Sequence, residues 1–297
     1  MLAPLIPYLD PHPLHIYGPG ELGPFRVGEL SIKPFGTLVA IGVYIGTELV
    51  RKKGEQYKLD AKTLSSFVFY ILLFGFIGGH VLDTIFYHPD HVLKDPASLL
   101  WIWDGQSSFG GFTGALIGLL YWRYKFKAPT LVYADLVASA FPLSWVFGRT
   151  GCSLAHDHPG MHSSAWFAVQ YPDGGRFDLG LYEMLLTIPL AITFLFLMRK
   201  PRPPGFFLGI MCTAYAPSRF ALDFLRVREQ DWGHGADPRY GGLTPAQWGC
   251  LLLLGAGITF IYRAARTAEK GPGWLADVAP RFAPPADPSL ASPPASG

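Results

Sequence analysis

From Pro34 onward the chain consists of long apolar runs separated by short polar stretches. Crossing roughly 30 Å of hydrocarbon takes about 17 to 25 apolar residues in a helix. Runs of that size occur at about Pro34 to Val50, Leu64 to Tyr87, Ser107 to Trp122, Leu131 to Gly148, Gly180 to Met198, Gly205 to Leu225 and Leu243 to Tyr262. The third is the shortest and the richest in glycine. Trp101, Trp103, Trp122, Tyr171 and Trp248 fall near the ends of runs, where interfacial aromatics belong. The pattern predicts an all-α polytopic membrane protein with about seven transmembrane helices.

The polar stretches give the orientation, because loops on the cytoplasmic side are enriched in Lys and Arg. Arg51, Lys52, Lys53, Lys58 and Lys62 follow the first run, and Arg123, Lys125 and Lys127 the third. Arg199, Lys200 and Arg202 follow the fifth, and Arg263, Arg266 and Lys270 the seventh. The stretches after runs two and four carry fewer bases, and the one around Glu229, Asp231 and Asp237 balances them with acids. This alternation predicts an N-out, C-in topology. Residues 1–33 then form an extracytoplasmic segment, 34–262 the membrane domain, and 263–297 a proline-rich cytoplasmic tail expected to be disordered.

Composition narrows the function. Half of the 297 residues are hydrophobic, 15% are charged and mean hydropathy is +0.25, which excludes an ordinary soluble domain. A formal charge of +2, with its bases dispersed, excludes nucleic acid as a partner. Three cysteines, Cys152, Cys212 and Cys250, do not suit a disulfide framework. The N-terminus has no basic stretch ahead of an apolar one, so no cleavable signal peptide is expected, and the first run serves as the insertion signal. No internal repeat of the transporter kind is visible.

The candidate chemistry lies in charges that a bilayer should not tolerate. Each costs at least roughly 2.5 to 3.5 kcal/mol deep in a helix, so each needs a partner, water or a function. Arg149 ends run four, Glu183 opens run five, and Arg219 and Asp223 lie in run six; Asp83 and Asp135 lie in runs two and four. Tyr215, Arg219 and Asp223 follow one another at intervals of four and share a helix face. One reading is a salt bridge that joins helices. The other is an anion site, because guanidinium groups bind phosphate bidentately and a phospholipid headgroup is the anion available at that depth. After run four, His156, Asp157, His158 and His162 admit three roles: a solvated loop, an acid/base or headgroup-contact role, or metal ligands. The spacing is not a standard metal pattern, and no metal or cofactor is expected. Cys152 reads equally as an inert small residue or a nucleophile. The stretch SSFGGFTGALIG is spaced for small-residue helix packing, and its glycines equally suit close approach of a lipid chain to the backbone.

Taken in order, WDG at Trp103 to Gly105, SFGG, GRTGC at Gly148 to Cys152, HDHPG, LYE at Leu181 to Glu183, YAPSRFALDFLR and LTPAQ at Leu243 to Gln247 resemble the prolipoprotein diacylglyceryl transferase family. The resemblance runs from about Lys33 to Tyr262. It implies transfer of the diacylglyceryl group of phosphatidylglycerol to the lipobox cysteine of bacterial preprolipoproteins, in the bacterial cytoplasmic (inner) membrane. It also implies that Arg149 and Arg219 bind the phosphatidylglycerol headgroup. Asp157 stands where the family usually has Glu, and Gly160 at its loop glycine. Tyr182, Glu183, Tyr215 and Asp223 match further substrate-binding positions. The sequence departs from the pattern at four places: the usual histidine is absent from Ser108-Phe109-Gly110-Gly111, Phe35 replaces a tyrosine, Cys152 an asparagine and His80 an arginine. His156, His158 and Asp157 are therefore the candidates for activating the thiol, with His80 after them. The alternatives are a paralogue that binds phospholipid or lipoprotein precursors without transfer, and a transporter.

Overall fold

Each apolar run falls on one helix of the computed structural model, which describes residues 6–17, 20–22, 25–27, 30–87, 89–100, 105–128, 130–227, 239–269 and 271. The helices are α1 (Pro34–Gln56), α2 (Ala61–Tyr87), the short α3 (Pro89–Lys94), α4 (Ser108–Phe126), α5 (Thr130–Ala155), α6 (Leu179–Leu197), α7 (Phe206–Leu222) and α8 (Pro245–Ala268). Among the described residues, Ala61–Ile85, Thr130–Ala155, Leu179–Leu197 and Pro245–Ala268 are long and apolar enough to cross a membrane. Helices α1, α4 and α7 have basic residues in their last turns, and α7 has 17 residues, about 26 Å. Large apolar side chains such as Leu252, Ile258, Phe69 and Leu116 are exposed on these helices, as suits a hydrocarbon solvent.

The ends are specified locally. Ser107 caps α4, Asp178 caps α6 by accepting from the Leu181 amide, and Thr244 and Gln247 form a reciprocal capping box at α8 with Pro245 behind it. Several helices outrun their apolar runs, α1 to Gln56, α4 to Phe126 and α8 to Ala268. Helix α5 continues past Gly148 to Ala155, so Arg149 and Cys152 are helical and not loop residues. Run six closes as a 3-10 turn at Asp223–Leu225.

The chain is mostly helical, as the apolar pattern predicts, and short strands join the helices. Strands β1 (Ile6–Pro7), β2 (Leu14–Tyr17), β3 (Gly20–Leu22), β4 (Phe25–Val27), β5 (Leu30–Ile32), β6 (Pro159–His162), β7 (Val169–Tyr171) and β8 (Gly174–Asp178) are present. They form a four-stranded sheet in the order β1-β7-β8-β6 and two separate ladders, β2–β5 and β3–β4. Strands of two to five residues are too short to show a period of two in sequence. The segment expected as a histidine-rich loop is partly the edge strand β6. Trp101, Trp103, Glu229, Asp231, Asp237 and nearly all of the expected tail lie outside the described residues.

The chain forms two compact units. One comprises residues up to Val50 together with Ala138–Glu269. Its apolar core gathers Ala138, Phe194, Met198, Phe207 and Met211. The other is Arg51–Val137, where Phe67, Trp122 and Tyr133 pack around one another and the Trp122 indole donates to Ser66 at 2.9 Å. The expected small-residue packing of α4 is present. A Cβ on Gly78 of α2 would lie 2.7 Å from the Gly110 carbonyl oxygen and 2.7 Å from the Gly114 Cα. Backbone cannot yield as a side chain does, so Gly78→Val should cost at least about 1–3 kcal/mol. A lowered unfolding temperature of the detergent-solubilised protein would register it. Gly255→Ala, with nothing within 4 Å of the added carbon, should leave that temperature unchanged.

Candidate functional site

The first unit's charges converge because α5 and α6 meet backbone to backbone. A Cβ on Gly180 would lie 2.9 Å from the Ser153 amide and 3.1 Å from the Cys152 carbonyl carbon. That approach brings Glu183, one turn into α6, against Arg149, nearly two turns before the end of α5. The Arg149 Nε lies 3.0 Å from Glu183 Oε1. The same oxygen accepts from the Trp145 indole at 3.0 Å and from the Tyr215 hydroxyl at 2.6 Å. Trp145 precedes Arg149 by one helical turn, and the guanidinium lies 4.4 Å from its ring centre.

The network continues into α7. Arg219 Nη1 donates to Asp223 Oδ1 at 2.6 Å, and its Nε lies 3.9 Å from Glu183 Oε2. Arg226 Nε lies 2.8 Å from Asp223 Oδ1, and the Thr244 hydroxyl donates to Oδ2. The Gln247 side chain donates to the Phe220 carbonyl at 3.2 Å, which ties the start of α8 to the end of α7. Arg149, Glu183 and Asp223 are 3%, 4% and 0% exposed, so these charges depend on one another for solvation. Three guanidiniums, those of Arg149, Arg219 and Arg226, meet two carboxylates, those of Glu183 and Asp223. The 3.9 Å contact between Arg219 and Glu183 is the loosest link.

A cavity of about 300 Å³ opens at this link, between α6 and α7. Glu183, Tyr215 and Arg219 form its polar end, and Leu186, Pro189, Leu190, Thr193 and Ala214 continue it along the helices. A polar end on a mostly apolar groove, with Thr187, Thr193 and Ser218 also in its wall, suits an amphiphile.

The predicted histidines separate. His156 ends α5 with a left-handed φ of 50°. Its Nδ1 lies 3.0 Å from Asp178 Oδ2, its Nε2 lies 2.9 Å from the Leu9 carbonyl, and its ring stacks on Tyr8 at 3.7 Å. This ring anchors β1 to the sheet. Tyr171 donates to the same Asp178 oxygen at 3.0 Å, and burial, reinforced by that carboxylate, pushes its hydroxyl pKa up. His162 instead lies 3.8 Å from Asp173, whose carboxyl the Arg176 guanidinium holds below the usual range. His158 Nδ1 lies 2.7 Å from Asp157 Oδ1, and this pair sits beside the buried Cys152. Arg149 Nη1 approaches the Cys152 sulfur at 3.7 Å.

Arg149, Glu183, Tyr215, Arg219 and Asp223 therefore form one cluster, with Asp157 and His158 against its Arg149 end. Gly160 allows β6 to pass close by: an added Cβ would lie 2.7 Å from the Leu225 carbonyl oxygen and 2.9 Å from that of Phe177. The Tyr182 hydroxyl donates to the Phe167 carbonyl at 2.8 Å. Trp145, Asp178 and Thr244 were not singled out from sequence. Trp145 was legible as the aromatic one turn before Arg149, and the other two as capping residues. The missing-histidine segment, Ser108–Gly111, along with His80, Asp83 and Asp135, belongs to the second unit.

A family model described as prolipoprotein diacylglyceryl transferase matches residues 24–263. Proteins named phosphatidylglycerol–prolipoprotein diacylglyceryl transferase are similar over most of their length. That of Nitratidesulfovibrio vulgaris is 30% identical, covering 83% of this chain and 94% of that protein. That of Bordetella avium is 28% identical over 82% and 95%. That of Idiomarina loihiensis is 27% identical over 89% and 97%.

Neutralising Glu183 would leave two buried guanidiniums facing each other. Glu183→Gln is expected to destabilise the protein by about 3–5 kcal/mol. Tyr215→Phe removes one hydrogen bond to a charged acceptor and should cost about 1.5–3 kcal/mol. Thermal unfolding in one detergent ranks the two; equal losses would contradict the shared-counterion role of Glu183.

Proposed function

We propose the activity that follows from one premise: this chain belongs to the prolipoprotein diacylglyceryl transferase family. It moves the diacylglyceryl group of phosphatidylglycerol to the lipobox cysteine thiol of bacterial prolipoproteins, the first step of lipoprotein maturation. The observation that carries this reading is the cavity that begins at Arg219, Tyr215 and Glu183 and continues between apolar side chains. Its volume accommodates a headgroup and the beginnings of the acyl chains, with the rest of the lipid in the bilayer.

In this reading the phosphate enters at the loose Arg219–Glu183 contact and takes bidentate hydrogen bonds from Arg219, with Arg149 behind it. The thiolate sulfur attacks the glyceryl carbon as the carbon–oxygen bond to phosphate breaks. The electron pair of that bond stays on the phosphate oxygen, and glycerol phosphate leaves. Guanidiniums fixed in a water-poor site stabilise that developing charge without reorganising, which is the main catalytic task. Glu183 and Trp145 hold Arg149 in position. The thiol arrives on the Asp157–His158 side, because His156 is committed to Asp178 and Leu9.

The topology belongs to the same proposal. Seven spans with the N-terminus outside put β6–β8, the end of α5 and the start of α6 at the outer face of the cytoplasmic membrane. An exported precursor meets its lipid there. Alkaline phosphatase fused after Tyr171 should be active, and the same reporter fused after Lys127 or Arg202 inactive; the reverse pattern would invert the assignment.

Arg149→Ala is expected to lower kcat/KM for transfer from phosphatidylglycerol to a lipobox peptide by about 10²–10³. Arg149→Lys should rescue little, because an ammonium lacks the planar fork. Full transfer by the alanine variant in membranes would overturn the assignment. Failure of the unaltered chain to rescue a transferase-depleted strain would favour the non-catalytic paralogue.

A further inference from the structure

The grouping of metal-binding side chains differs from what the histidine spacing suggests. His156 and His162 turn away to Asp178 and Asp173. Cys152, Asp157 and His158 come together, each offering one donor atom, with all three atoms within 4.8 Å of one another. We propose that Cys152, Asp157 and His158 bind a thiophilic divalent cation, zinc above all, and that its fourth position receives the thiol of the acceptor cysteine.

The donor set fits that ion. A thiolate, an imidazole and a carboxylate are its ordinary ligands, and three protein ligands with one exchangeable position is the catalytic form of the site. Metal–ligand bonds of about 2.0–2.3 Å in a tetrahedron put donor atoms roughly 3.4–3.6 Å apart. The Asp157–His158 contact at 2.7 Å opens slightly, and the longest separation contracts by about 1 Å.

The frame around the three ligands is held on both sides. Cys152 is in the last turn of α5. The His156 ring is clamped by Tyr8, Leu9 and Asp178, and the His158 carbonyl accepts from the Leu179 amide at 3.2 Å. Asp157 and His158 thus lie on a short bridge between two fixed points. The sulfur side is buried, while the Asp157 and His158 side chains are 40% and 24% exposed, which leaves an approach for the cation and the substrate thiol.

The charges also agree. A divalent cation with one thiolate and one carboxylate is formally neutral, so it does not repel the Arg149 guanidinium 3.7 Å from the Cys152 sulfur. That guanidinium donates toward the bound sulfur, as outer-shell groups do at metal sites.

The site supplies what the transfer needs. A thiol with a pKa near 8.5 is mostly protonated at neutral pH, and coordination deprotonates it outright. The thiol proton leaves to water, the metal-held sulfur attacks the glyceryl carbon, and glycerol phosphate departs with the electron pair. This inference rests on the transferase reading only for its last step; metal binding can be measured without it.

The test uses the full chain purified in detergent. Elemental analysis should find zinc bound stoichiometrically. Cobalt exchanged into the protein should show a thiolate-to-cobalt absorption band, which Cys152→Ala abolishes and Cys212→Ala or His162→Ala leaves intact. His158→Ala and Asp157→Ala should weaken zinc binding by at least about 10-fold, the lower end of what losing an outer-shell partner causes. Thermal unfolding checks that each variant is folded, and Cys152→Ser provides a second loss of the thiolate. Chelation should reduce lipobox-peptide transfer, and added zinc should restore it. A protein that binds no metal, or a cobalt band that survives Cys152→Ala and Cys152→Ser, overturns the site, as does undiminished transfer by metal-free protein. Metal binding through Cys152 without any transfer supports the site and counts against the transferase reading instead.

Discussion

The arrangement of α5, α6 and α7 depends on one buried interaction, the Glu183 carboxylate shared by Arg149 and Arg219. Separated, either guanidinium in an apolar surrounding would be a heavy liability; together with Glu183, Trp145 and Tyr215 they solvate one another. The cluster therefore joins three helices that hydrocarbon alone would have no strong reason to associate, since lipid tails are as apolar as leucine.

Much of this was legible beforehand. A helix of 17 to 27 residues stands on each apolar run, because a long hydrophobic stretch in a bilayer can satisfy its backbone only as a helix. The interval of four from Tyr215 through Arg219 to Asp223 put them on one face, and the 2.6 Å Arg219–Asp223 bond is its direct product. Pairing across helices was harder to read. That Glu183 meets Arg149 follows from the contact of Gly180 with the end of α5, and no local periodicity encodes a contact between segments 30 residues apart. Sequence also treated His156, Asp157 and His158 as equivalent. A single left-handed residue at position 156 sends the first ring to Asp178 and leaves the other two beside Cys152. That branch in the backbone is not visible in the string HDHPG.

The sheet escaped sequence reading for a different reason. Its strands come from two distant parts of the chain, and each is shorter than the window in which alternation becomes evident. Asp178 connects this sheet to the ion cluster. One carboxylate oxygen caps α6, which starts the turn that carries Glu183, and the other accepts from Tyr171 and meets His156. A perturbation of the sheet would be felt at the arginines through the first turn of α6.

The parallel pairing of β1 with β7 constrains the path of the chain. Two strands can share hydrogen bonds only on the same side of a bilayer, so the chain between them must cross it an even number of times. In that interval α2 and α5 are long and apolar enough to cross among the described residues, and two crossings satisfy the parity. The pairing also sets an order of events in biogenesis. The N-terminal strand has no partner until the chain beyond α5 has been delivered to the same face, so its docking closes the domain only after those helices have been inserted.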